Sequence, residues 1–293
     1  MSADGSADGS ADGYAEGSPR RPWDIRRVGT IGSTNTYALD LARQGVPAGV
    51  VVVADHQTAG RGRLGRRWEA PPGASLLMSV LLRPVLDPGQ LHLCTAAVAL
   101  AAAAACRVTA GVEPDVKWPN DLVLGGAKLA GVLAESDAAA PGGPAGSVAV
   151  VVGVGLNVDW PGPDGAGGTC LADHVGGADT ADHTDGGVDR EEVLVALLAE
   201  LEPRAEALES AEGRQRLATE LRLRCRTLGQ PVRVDLAEGP VEGTAVDLTP
   251  EGHLVVATAV GRRTVVAGDV VHLRPSGGGP SGGGPSGGGA TAH

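Results

Sequence analysis

Along the middle of the chain, short runs of aliphatic and β-branched residues alternate with stretches whose apolar positions recur at helical spacing, a pattern that predicts a mixed α/β or α+β domain. Gly49 to Ala54, GVVVVA, predicts a strand, and residues 75–82 a second, apolar along its length. Ser-Thr-Asn at 33–35 precedes a helix over 36–43, and another helix is expected near 89–106. A Gly125-Gly126 turn between Leu124 and the segment 128–135 reads as a hairpin, followed by a buried strand over 147–157. Asp189 with Glu192 three residues on has the form of a capping box, opening a helix to about Leu208 and a further helix toward Arg226.

From Gln230 to Arg274 the rhythm changes to strands of about five residues separated by Glu-Gly, Pro-Glu-Gly and Gly-Arg-Arg turns. This predicts a small antiparallel barrel similar to an SH3-like module. The ends differ again: SADG repeats fill residues 1–22 and PSGGG repeats residues 275–293, both too polar and repetitive to offset their ordering entropy. The expected organisation is a disordered tail (1–22), a catalytic domain (23–226), a barrel (227–274) and a second tail (275–293). A glycine-rich polar stretch, 161–187, lies inside the first domain and reads as a mobile loop.

Composition narrows the function. The 293 residues carry a formal net charge of −11, so any anion-binding role must come from a local basic cluster. The predicted barrel has six acids against four arginines, which disfavours a nucleic-acid face there. Four scattered cysteines, Cys94, Cys106, Cys170 and Cys225, show neither a zinc pattern nor a disulfide framework. The N-terminus lacks a signal peptide's basic start and apolar stretch, and the Ala-rich segment 91–108 reads as a buried helix rather than a membrane span. A cytoplasmic protein is expected.

Four segments hold candidate chemistry. The loop Gly60-Arg-Gly-Arg-Leu-Gly-Arg-Arg-Trp68 follows the first strand and packs four arginines, Arg61, Arg63, Arg66 and Arg67, into seven residues. Its glycines permit close backbone approach, its guanidinium groups suit phosphate or carboxylate, and Trp68 offers a stacking face. A nucleotide site, an RG-rich nucleic-acid loop and a solvated turn all fit that stretch alone. Lys117-Trp-Pro-Asn120-Asp121 precedes Lys128-Leu-Ala-Gly131, and a lysine among apolar strand residues needs an anion, unless it snorkels at the hairpin end. Ala130, Val132 and Ala134, alternate neighbours of Lys128, are expected to leave room for a ligand on its face. Ser33-Thr34-Asn35 is either an N-cap or a set of donors for a polar ligand head. Gly153-Val-Gly155-Leu-Asn157 has only GxG, and no GxxxxGK[ST] is present, so both common nucleotide folds are disfavoured.

In this order and spacing, STN, QTAGRGRLGRRW, KWPNDL, KLAGVLAE and GVGLNV resemble the biotin–protein ligases, over residues 29–274. The resemblance implies an α+β fold: a mixed sheet with helices related to class II aminoacyl-tRNA synthetases, plus the SH3-like end. It implies ATP and biotin as substrates, Mg²⁺, and a biotin carboxyl carrier domain of a biotin-dependent carboxylase as acceptor; it leaves a homodimer open. Ser33, Thr34, Asn35, Gln57, Arg61, Gly62, Arg63 and Lys128 would meet biotin; Arg66, Trp68, Asn120, Asp121 and Asn157 would lie near the adenylate; Lys128, Arg63 and Lys117 would be catalytic. No resident metal site is expected. The stretch before Trp23 is too short and polar for a helix-turn-helix module, so no DNA role is expected. The rivals are a lipoate–protein ligase of the same chemistry and an RNA-binding protein using the RGR loop.

Overall fold

The computed structural model describes residues 23–175, 187–236, 238–266 and 268–273; the expected tails and the centre of the internal glycine-rich stretch lie outside them. In chain order the elements are β1 (Asp24–Ile31), α1 (Thr34–Arg43), β2 (Val50–Gln57), β3 (Ser75–Leu82), α2 (His92–Ala110), β4 (Asp115–Lys117), β5 (Asp121–Leu124), β6 (Ala127–Asp137) and β7 (Ala149–Asn157). They continue as α3 (Arg190–Ala207), α4 (Ala211–Arg224), β8 (Pro231–Asp235), β9 (Val241–Leu248), β10 (Leu254–Thr258), β11 (Gly261–Val265) and β12 (Asp269–His272).

Among the described residues, β1 to β7 form one mixed sheet in the order β1-β2-β3-β7-β6-β5-β4, with β1 and β2 parallel and the other pairs antiparallel. β1 was not legible from the pattern: as an edge strand it is largely exposed and its DIRRVGTI has no apolar run. Alternate residues of β7 face opposite sides. Val150, Val152, Val154 and Leu156 join the main core with α2, α3 and α4, while Ala149 and Val151 pack with Ala38, Leu39, Leu41 and Ala42 of α1.

The Ala-rich segment is the core helix α2, long and apolar enough to cross a membrane yet buried along most of its length, where small side chains let α3 pack closely. It ends at Gly111 in the left-handed region, φ 66°, extending past the expected end. α1 begins two residues earlier than the sequence suggests: Ser33 alone is the cap, its hydroxyl accepting from Thr36 N, so Thr34 and Asn35 occupy the first turn. α3 is capped by Asp189, which accepts from Glu191 N.

β8 to β12 form a five-stranded antiparallel sheet in the order β11-β10-β9-β8-β12. Its apolar side, including Val232, Val234, Val256 and Leu254, is continuous with the main core. The joint is built on Trp118, 1% exposed, whose backbone N donates to Thr227 Oγ1 (3.0 Å) and whose indole donates to Gly252 O (2.9 Å).

Candidate active site

α1 covers only part of its sheet face. Beyond its first turn the strands carry Gly131 opposite Gly155 and Leu133 opposite Gly153, and the bare backbone becomes the floor of an open cavity of about 770 Å³. The glycines are demanded by close approach. A Cβ at Gly153 would overlap Asn35 Oδ1, and one at Gly155 would overlap the Trp68 indole; at Gly131 it would sit 3.2 Å from the same ring.

The roof is the arginine loop. Here it is a closed ribbon: Gly62 N donates to Arg66 O (2.7 Å), Arg61 bridges Arg67, and Trp68 N donates to Gly60 O (3.0 Å). Leu64 at its tip takes φ 56°, a left-handed conformation that a branched residue adopts only when neighbours hold it there. Arg63 spans the gap to both lobes, donating to Asn120 Oδ1 (3.2 Å) and to Gly268 O, just before β12 (3.1 Å). Asn120 in turn donates to Val132 O (2.9 Å), which fixes the turn to β6.

Lys128 reaches this cavity for a reason other than simple alternation. The register between β5 and β6 shifts at Leu122/Val123, and Leu129 and Ala130 are both fully buried in the core, as a bulge requires. Ala130 therefore packs on the opposite, core side, correcting the expectation that it shares the face of Lys128, whereas Val132, fully buried in the core, still borders the cavity; beside Lys128 there is Gly131, where an added Cβ would lie 3.4 Å from Nζ. The ammonium pairs with Asp121 at 2.8 Å and stands 5.6 Å from the Trp68 ring centroid. Arg61 pairs with Glu135 at 3.0 Å. Each of these cations thus already has an internal carboxylate.

At the far end lies a polar cluster. Thr34 N donates to Gln57 Oε1 (2.8 Å), and Ser79, fully buried, stands within 2.8 Å of Thr34 Oγ1 and 2.6 Å of Asn35 Oδ1. Ser33 caps the helix, and all three residues of Ser-Thr-Asn line the cavity.

Of the residues singled out in the sequence, Ser33, Thr34, Asn35, Gln57, Arg61, Gly62, Arg63, Arg66, Trp68, Asn120, Asp121 and Lys128 share this one cavity. Two do not. Asn157 is 4% exposed and its amide clamps the following loop, donating to Pro161 O (3.1 Å) and Thr169 O (3.0 Å); it lines an adjoining recess with Lys128, Trp68 and Gly168. Lys117 is drawn the other way, because Trp118 is buried against the C-terminal sheet. Its charge falls on His272, whose pKa is lowered by burial first and then by Lys117 and Arg226. Ser79, Glu135, Gly131 and Gly153 were missed as site residues. GxG at strand spacing was the one signal for a bare floor.

A glycine-floored sheet roofed by guanidinium groups, with a strand-borne ammonium and a polar far end, makes a pocket suited in charge and shape to anionic, partly planar ligands. The family described as Biotin/lipoate A/B protein ligase matches residues 29–157, and the Biotin protein ligase C terminal domain matches residues 227–273. The chain is 40% identical to the biotin–[acetyl-CoA-carboxylase] ligase of Mycobacterium tuberculosis over 269 residues, 88% of this chain and 91% of that protein. It is 33% identical to the Paracoccus denitrificans ligase of the same name over 241 residues, 81% and 96% of the two. In structure it resembles the biotin protein ligase of Aquifex aeolicus in complex with biotin and ATP, with a TM-score of 0.70, 25% identity, and coverage of 86% of this chain and 99% of that one. The chain belongs to the biotin protein ligase family and is a ligase.

Proposed function

We propose that this ligase forms biotinyl-5′-AMP from biotin and ATP and transfers the biotinyl group to a lysine of a biotin carboxyl carrier domain. One observation carries the reading: Lys128, Arg61 and Arg63 line the same cavity as the polar cluster of Thr34, Asn35 and Gln57. Biotin has those two needs at its two ends, a ureido head that both donates and accepts and a carboxylate that must meet a phosphate. The polar cluster takes the head. Lys128 and the arginines take the carboxylate and the α-phosphate, and Trp68 with the adjoining recess takes the adenosine.

In the first step a carboxylate oxygen of biotin attacks the α-phosphorus and pyrophosphate leaves. Both reactants are anions, so the cations of this pocket offset their repulsion and stabilise the added charge at phosphorus. Lys128 and Arg61 exchange Asp121 and Glu135 for substrate oxygens as they do so. In the second step the acceptor amine attacks the mixed anhydride and AMP leaves, with the arginine ribbon keeping water from the intermediate. Lys117 has no part in either step. Mg²⁺ would enter with ATP as part of the substrate and would offset phosphate charge there. Among the described residues no group of three or more His, Cys, Asp or Glu is placed to hold a metal, and Asp121 is the carboxylate lining the cavity.

The C-terminal sheet is read as the SH3-like module, with boundaries near 226 and 274, and the main sheet as a relative of the class II synthetases. The protein is read as cytoplasmic, with no DNA or membrane partner. Biotin-dependent exchange of labelled pyrophosphate into ATP is the direct test. Exchange with biotin and not with lipoate is expected; exchange with lipoate alone, or with neither, would overturn the assignment.

A further inference from the structure

Resting on that reading of the pocket, we propose that Glu135 is a positioning residue that sets the proton polarity of the biotin-head site, making Thr34 an acceptor and thereby selecting ligands with a ring N–H. Glu135 sits on β6, and its two oxygens serve two elements: Oε1 pairs with Arg61 of the roof at 3.0 Å and Oε2 accepts from Asn35 Nδ2 at 2.9 Å. A carboxylate engaged this way only accepts. Leu133 O, another acceptor, lies 3.1 Å from the same Nδ2. Asn35 is therefore oriented with its nitrogen toward β6, the charged contact being the stronger of the two, and its Oδ1 is turned to Ser79.

The orientation propagates. Ser79 is fully buried and has one proton; Asn35 Oδ1, 2.6 Å away, can only accept, so the proton goes there. Ser79 then has none for Thr34, 2.8 Å distant. The Thr34 hydroxyl sends its own proton inward, to Ser79 Oγ or to Gln57 Oε1 at 3.1 Å, and turns its lone pairs to the cavity. Gln57 is fixed independently: its Oε1 accepts from Thr34 N, leaving Nε2 as a donor beside Gly60. The cavity thus shows one acceptor, Thr34 Oγ1, next to one donor, Gln57 Nε2, complementary to the N–H and C=O of a cyclic urea. Glutamine at 135 can donate as readily as accept, so Asn35 is free to turn over, Ser79 to face Thr34, and Thr34 to direct its proton outward.

The test compares KM for biotin with KM for its cyclic carbamate analogue, in which one ureido N–H is replaced by oxygen, by pyrophosphate exchange on the full chain. A site whose polarity is fixed rejects a group that sets two acceptors face to face. In Glu135→Gln the preference for biotin over the carbamate is expected to fall at least about fivefold, in line with loss of a charge-assisted contact. Glu135→Asp, which keeps an acceptor-only carboxylate, is expected to retain more of the preference than Glu135→Gln. Ser79→Ala, which cuts the chain of bonds at its middle, is expected to lower the preference as well. An unchanged preference in Glu135→Gln would overturn the proposal, as would a larger loss in Asp than in Gln, which would mark a length effect. If the unaltered protein shows no biotin-dependent exchange, the failure lies instead with the reading of the pocket.

Discussion

Replacing Lys128 with methionine keeps an unbranched side chain one atom shorter and removes its charge. The ammonium contacts Asp121 at 2.8 Å, with the lysine side chain 39% exposed and the aspartate 22% exposed. An exposed pair of that kind contributes at most about 1 kcal/mol, so little is lost when substrate displaces Asp121. Against this, a unit charge about 4 Å from a developing phosphoryl charge contributes about 4 kcal/mol at an effective dielectric near 20. The difference leaves about 3 kcal/mol, on the order of a hundredfold in the adenylation rate. Part of that loss has a second origin. Without Lys128, Asp121 remains in the cavity as an uncompensated anion facing the incoming phosphate. Lys128→Met combined with Asp121→Asn is therefore expected to recover several-fold over Lys128→Met alone, a coupling that a double-mutant cycle isolates. The assay is single-turnover formation of the adenylate at saturating ATP, with thermal unfolding as a check on folding. A rate within about threefold of the unaltered protein in the single variant, or a double variant slower than the single, would refute the electrostatic account.

Gly155→Ala is expected to lift Trp68 off the floor and raise KM for ATP at least about tenfold, since the added methyl overlaps the ring; an unchanged KM in pyrophosphate exchange would show that the indole has room to slide. His92, half-buried with its ring 5.9 Å from that of Trp118, has its pKa lowered to about 4, by desolvation first and then by His253 and Arg63. A depressed histidine pKa means that the unfolded chain binds the proton first, so stability from this group is complete above about pH 6.5 and declines as pH falls toward 4, by on the order of 3 kcal/mol. Calorimetry from pH 7.5 to 4.5 is expected to show a steeper decline for the unaltered protein than for His92→Leu; parallel curves would contradict this. Arg83, 6% exposed, donates to the carbonyls of Ala42, Val46 and Ala140, and burial lowers its pKa. Arg83→Met strands those carbonyls and is expected to lose about 2 to 4 kcal/mol in urea unfolding, whereas a loss below about 0.5 kcal/mol would mean that water takes its place.

The sequence disclosed most where local chemistry and tertiary demand coincide. The arginine loop, Ser-Thr-Asn and the Asn-Asp turn each carry an unusual residue density, and all reach the cavity. Strands β2, β3 and β7 were legible because residues buried on both faces leave runs that are mostly apolar. What was hidden depends on pairing. The β5/β6 bulge that sends Lys128 one way and Ala130 the other leaves no trace in composition, so Lys128 reaches the cavity as expected while alternation wrongly put Ala130 on its face. Lys117 failed for a similar reason, since the burial of its neighbour Trp118 is decided by a sheet more than a hundred residues away. Ser79 and Glu135 look like ordinary strand residues, and only the neighbours that the fold brings to them reveal a role.

The indole of Trp118 has a consequence for how the molecule comes apart. Asn120 and Asp121 stand at the rim of the reaction pocket, yet the turn that carries them is pinned two residues earlier to Gly252 and Thr227. The small C-terminal sheet therefore cannot detach as a separate cooperative unit without pulling on the catalytic wall, and the two lobes should melt in a single transition. Proteolytic release of the C-terminal lobe would then deform the ATP end of the pocket from behind, although apart from Gly268 that lobe need supply nothing at its surface.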